Sequence, residues 1–89
     1  MLRILHLADL HLGWRPAFMP RDQAEERRRR RDALLARAVD LALDPARQIG
    51  LVVIAGDLFE THCPEEPLAA AAMAQLRRLE QAGIPVVTV

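Results

Sequence analysis

Apolar residues along the chain alternate between short continuous runs and longer runs at helical spacing. Leu2 to Ala8 is short and apolar, rich enough in Leu and Ile to be a buried strand. Polar and turn-forming residues follow from Asp9 to Pro20, punctuated by Gly13, Pro16 and Pro20. A helix is predicted from about Asp22, which is placed to cap it, with Glu25 reaching back to complete a capping box. Leu34, Leu35, Ala38, Val39 and Ala42 continue at helical spacing until Asp44-Pro45, where proline cannot extend a helix interior. Leu51-Val52-Val53-Ile54 reads as a second strand, entered from Gly50 and left through Gly56. A second helix is expected to begin around Pro64 to Pro67, where Glu65 and Glu66 suit its positive end. Leu68, Ala72, Leu76 and Leu79 share one of its faces, and Gly83 is placed to stop it. Ile84 to Val89 reads as a third strand, interrupted by Pro85 near its start.

The order β-α-β-α-β predicts an α/β fold with a parallel sheet and right-handed crossovers. Continuously apolar strands such as 51–54 call for cover on both sheet faces. Strands side by side in chain order would place both helices on one face and leave the other to water. On these burial grounds residues 1–89 are expected to be the N-terminal part of one domain. No internal repeat, low-complexity segment or linker is visible.

Composition adds bounds. Eighty-nine residues suffice for one small domain and not two. Formal charges balance at zero, so overall charge predicts no particular partner. All basic residues are Arg. Cys63 is alone, so an internal disulfide is excluded and an intracellular chain is expected. The N-terminus lacks the layout of a signal peptide, and no apolar run approaches the roughly 18 residues that span a bilayer. A soluble, cytoplasmic protein without a membrane partner is the expectation.

Candidate chemistry sits at the strand ends. In extended chain, residues two apart point the same way, so Asp9 and His11 are expected to converge while Leu10 faces elsewhere. Such a pair suits a divalent cation such as Mn²⁺, Fe²⁺ or Zn²⁺. Asp57 ends the second strand at the same carboxyl edge, where open α/β sheets place ligands. Its two oxygens suit a bridge between cations about 3.5–4 Å apart. Gly56 removes a side chain where the turn is tight. A turn or helix-cap role is the plain alternative for Asp57.

At these residues a family resemblance becomes specific. Ile4-Leu5-His6-Leu7-Ala8-Asp9-Leu10-His11-Leu12-Gly13, followed by Val53-Ile54-Ala55-Gly56-Asp57-Leu58-Phe59, resembles the first two motifs of the calcineurin-like metallophosphoesterases. His6, Leu12-Gly13 and Leu58-Phe59 are similar to the DNA double-strand-break-repair nuclease branch, the SbcD-like one. Phosphoprotein phosphatases of the superfamily carry Asp-Arg-Gly shortly after the second motif, whereas this chain has Phe59-Glu60-Thr61-His62. The resemblance implies the parallel-sheet portion of a four-layer α/β-β/α sandwich, incomplete in this chain. It implies Asp9 and His11 on one metal and Asp57 bridging both, with two divalent cations, of which Mn²⁺ fits most naturally. Some relatives place a His directly after the Phe, where this chain has Glu60. The family's Asn-His motif, due just past the third strand, and its later His residues are not among these residues. Residues 1–89 by themselves are therefore expected to bind metal weakly and to be inactive, and no general acid is assignable.

The implied function of the whole protein is two-metal phosphodiester hydrolysis by a DNA exonuclease or endonuclease subunit in double-strand-break repair. The implied partners are DNA, a coiled-coil ATPase of the SbcC type and a second nuclease subunit. Two alternatives stand beside it: a phosphoesterase for small nucleotides or other phosphodiesters, and a non-catalytic interaction module that keeps the fold. Among the remaining residues, His6 is expected to be a packed strand residue or to support a ligand from behind. His62 falls in a loop near substrate, with an exposed loop position as the plain reading. Trp14 and Phe18 read as loop anchors, and Cys63 as a passive thiol. Arg27 to Arg31 suit DNA phosphates, but consecutive helical residues point about 100° apart and make no single patch. Glu25–Arg29, Glu26–Arg30 and Arg28–Asp32 fall at intrahelical pairing distance, so a solvated helix face is favoured.

Overall fold

Three apolar segments pair as strands β1 (Arg3–Ala8), β2 (Ile49–Ala55) and β3 (Val86–Thr88), forming one parallel sheet in the order β1-β2-β3. Between β1 and β2 lie helices α1 (Arg21–Asp32) and α2 (Leu34–Leu43) and a 3-10 turn over Pro45–Arg47; α3 (Glu66–Gln81) joins β2 to β3. This computed structural model describes residues 2–13, 19–60 and 66–89, so Trp14, Phe18, His62 and Cys63 lie outside the described residues. The α/β class and parallel sheet agree with the expectation and with part of a metallophosphoesterase fold. Among the described residues no helix is long and apolar enough to cross a membrane.

The sheet buries one face. Val52 and Ile54 of β2 are each 1% exposed and pack with Leu35, Val39 and Ala42 of α2 and Ala72 and Leu79 of α3. Helices α2 and α3 also meet each other, and Arg78 Nη2 donates to Asp40 Oδ1 across that seam at 2.7 Å. On the opposite face Ile4 is 52% and Val87 45% exposed. His6 pairs with Val53 on this face and is exposed, which corrects the expectation of a packed histidine. No described helix lies over it, so strand position alone did not bury it.

Several boundaries differ from the expected ones. The single helix predicted from Asp22 to the Asp44-Pro45 stop is two helices, separated at Ala33. In α1 only Ala24 is buried, whereas α2 buries Leu35, Ala38, Val39 and Ala42, so the core holds the two segments differently. The predicted capping box does not form. Pro20, extended at φ −54° and ψ 149°, occupies the cap position, and Asp22 lies inside the first turn. The Pro20 carbonyl accepts from Ala24 N at 2.9 Å, opening the helix without a side-chain cap. β2 outruns the predicted 51–54 at both ends, and β3 covers only Val86–Thr88 of the predicted 84–89, although Pro85 O still accepts from Val52 N at 3.0 Å and Val89 N donates to Ile54 O at 2.9 Å. The two stops hold. Asp44 accepts from Ala46 N at 3.0 Å as the chain leaves α2, and Gly83, at φ 77°, ends α3.

Candidate functional site

The two motif loops emerge side by side at the carboxyl ends of β1 and β2. Within the strands the parallel register runs from Ile4↔Leu51 to Ala8↔Ala55. It resumes with the same offset at the isolated bridge Leu12↔Phe59. Backbone hydrogen bonds fill the interval: Asp9 N to Ala55 O at 3.0 Å, His11 N to Asp57 O at 3.1 Å and Leu12 N to Leu58 O at 2.8 Å. Glu60 N returns to Leu12 O at 2.9 Å. The loops thus behave as a frayed continuation of the sheet, which fixes their backbones against each other.

Burial alternates along the first loop as expected. Leu10 (8% exposed) and Leu12 (2% exposed) enter the core cluster, while Asp9 is exposed and His11 half-buried. The expected reason, an extended chain, is not what the structure shows. Asp9 and His11 both adopt left-handed backbone, at φ 53° and 47°. Asp and His tolerate this region better than most side chains. Such conformations still cost roughly 1–3 kcal/mol each and persist only where surrounding contacts hold them. Here the inter-loop hydrogen bonds and the buried leucines supply that hold.

Gly56 explains the close approach of the second loop. It sits at φ 79°, and a Cβ placed on it would collide with Asp9 Oδ1 and lie 3.0 Å from Asp9 Cγ. The Asp9 carboxylate therefore lies across the space that a side chain at 56 would fill. Asp57, the next residue, is exposed and is tied to His11 through its carbonyl. His11 Nδ1 stands 3.0 Å from Glu60 Oε2.

Two side chains of α1 brace the first loop from behind. Asp32 Oδ1 accepts from Gly13 N at 2.7 Å, and Arg31 Nη1 donates to the Leu10 carbonyl at 3.4 Å. Glu26–Arg30 and Arg28–Asp32 pair within the helix, at 2.9 Å and 3.6 Å. Part of the arginine run is thus a helix surface held by its own carboxylates, and Arg31 helps to place the motif loop.

Among the described residues, no three His, Cys, Asp or Glu side chains stand close enough together to hold one ion. The structure brings the backbones of Asp9, His11 and Asp57 to one sheet edge but does not gather their side chains into a three-donor cluster. Two carboxylates and an imidazole remain a donor set suited in kind to a divalent cation. The space over Gly56 that a Cβ would fill is taken by the Asp9 carboxylate itself, which is thereby held at this edge of the sheet. His6 lies within β1 on the open face, away from this edge, and His62 lies outside the described residues.

Comparison with known proteins adds an independent observation. Over 91 aligned residues, covering the whole chain, it is 40% identical to the DNA double-strand break repair protein Mre11 of Haloferax volcanii. The chain spans 19% of that protein's length. No family model matches the chain. The likeness supports the double-strand-break-repair side of the resemblance and does not single out the SbcD-like branch.

Sequence reasoning missed Glu60, Arg31 and Asp32 as parts of the site. A signal for Glu60 was present. Extending the β1–β2 register past the strand ends sets Asp9 beside Gly56 and brings the stretch after Asp57 alongside His11.

Proposed function

We propose that the chain is the opening part of a metal-dependent DNA nuclease acting in double-strand-break repair. The observation that carries the reading is the joined pair of strand-end loops, which sets Asp9, His11 and Asp57 along one edge of the sheet. The likeness to a protein named for double-strand-break repair supports DNA as the substrate. In this reading Asp9 and His11 would hold one cation and Asp57 would be shared with a second, with Mn²⁺ the best match to oxygen-rich, His-containing donors. The chemistry such cations would supply when bound is an acidified water and stabilisation of the charge that develops on the scissile phosphate. This chain's own contribution is placement: the leucines and inter-loop hydrogen bonds fix the loops, and Gly56 leaves space for the Asp9 carboxylate. A coiled-coil ATPase of the SbcC type and a second nuclease copy follow from the family resemblance; they belong to the same proposal, as does the cytoplasmic setting expected from the lone Cys63.

The test uses the natural full-length protein. It is expected to cleave linear duplex DNA in the presence of Mn²⁺ and to lose activity with a chelator. Asp57→Asn keeps the shape but removes a charged ligand. Several kcal/mol of transition-state stabilisation are at stake, so cleavage should fall by about a hundredfold or more. Equal rates for the two proteins would overturn the assignment.

A further inference from the structure

We propose that Glu60 is a positioning residue whose carboxylate holds the proton of the His11 imidazole on Nδ1 and leaves Nε2 as the donor for a divalent cation. The proposal rests on the metal reading given above and adds a residue to it. Glu60 Oε2 lies 3.0 Å from His11 Nδ1. An ionised carboxylate only accepts hydrogen bonds, so this contact requires the proton on Nδ1. In a neutral imidazole the lone pair then belongs to Nε2, the other ring nitrogen.

The contact is not a chance meeting of two free side chains. Both residues are anchored through backbone: His11 N on Asp57 O, Leu12 N on Leu58 O, and Glu60 N on Leu12 O. The flanking Leu10 and Leu12 are buried, so the His11 backbone cannot shift without disturbing the core. The side chains of His11 and Glu60 are 34% and 42% exposed. A polar contact so accessible to water adds little stability by itself. Its consequence is orientation, since a carboxylate on the far nitrogen fixes both the tautomer and the ring plane of a metal-binding histidine.

The experiment labels the full-length protein with [¹⁵N]histidine and assigns His11 by its loss in His11→Gln. Without metal, the wild-type His11 is expected to show a protonated, pyrrole-type Nδ1. Glu60→Ala is expected to move the proton to Nε2, the site an unconstrained imidazole favours. In calorimetric titration with Mn²⁺, the same variant should bind about 10–100-fold more weakly. Because the Glu60 side chain is 42% exposed, its truncation should leave the circular dichroism spectrum unchanged. Glu60→Gln, which keeps an acceptor oxygen, should retain the wild-type tautomer and gives a second folded reference. The same tautomer in wild type and Glu60→Ala, or the same Mn²⁺ affinity, would overturn the proposal. Absence of Mn²⁺ binding by the wild type would overturn the metal site and this proposal together. A tautomer shift that survived in that case would place the fault in the cation and not in the Glu60 contact.

Discussion

Replacing Gly56 with alanine tests how tightly the two motif loops are fitted together. The substitution has two separable consequences. The first is conformational: residue 56 sits at φ 79°, and an L side chain in left-handed backbone costs roughly 1–2 kcal/mol. The second is steric, because the new methyl would collide with Asp9 Oδ1 and crowd Cγ at 3.0 Å. Pushing the Asp9 side chain about 30° off its rotamer adds roughly 0.5–1.5 kcal/mol. Gly56→Ala should therefore lose about 1.5–3.5 kcal/mol in denaturant unfolding. Gly83 supplies the control. Its φ is 77°, yet nothing lies within 4 Å of a Cβ built there, so Gly83→Ala should show the conformational part alone. A double-mutant cycle with Asp9→Gly isolates the contact, and a coupling of about 0.5–1.5 kcal/mol is expected. If Gly56→Ala and Gly83→Ala were equally destabilising, and Gly56→Ala and Asp9→Gly were additive, the carboxylate would not lie where the structure puts it.

Further outcomes follow from the contacts of α1. Asp32→Ala removes the acceptor of the 2.7 Å bond from Gly13 N. It should lose about 1.5–3 kcal/mol, as for hydrogen bonds to charged groups, and speed hydrogen exchange at the Gly13 amide; unchanged exchange would refute the brace. Arg30 pairs with Glu26 at 2.9 Å, but the two side chains are 75% and 59% exposed. Arg30→Ala should change unfolding stability by no more than about 0.5 kcal/mol, and a larger loss would point to a contact other than this pair.

Much of the fold was legible because burial writes itself into the sequence at two periods. The run 51–54 is apolar at every position, and β2 is indeed the central strand. Leu35, Ala38, Val39 and Ala42 recur at helical spacing, and all are buried in α2. The break at Ala33 was not legible, since Arg31-Asp32-Ala33-Leu34 contains neither glycine nor proline. At the end of α1, Arg31 and Asp32 engage the first motif loop, far earlier in the chain. Local propensity is blind to partners at that separation. The missed cap has a simpler origin. Asp22 and Glu25 fit a capping pattern, but Pro20 is already extended and its carbonyl opens the helix two residues before the expected cap.

The candidate site divides along the same line. Residue type and strand-end position singled out Asp9, His11 and Asp57, and the structure sets their backbones at one edge. Side-chain geometry was a different matter, because the alternation argument assumed extended chain. With φ positive at both Asp9 and His11, side-chain direction is set by backbone strain and by what faces each residue across the loops. Those facing partners are Gly56, which yields space to Asp9, and Glu60, which takes up His11 Nδ1. Neither is singled out by the spacing of Asp9 and His11, but both fall within reach once the parallel register is carried beyond Ala8 and Ala55 to Leu12 and Phe59. In a parallel sheet the ladder that aligns two strands also aligns the loops leaving them. Register is therefore the step that turns two separate sequence motifs into one site.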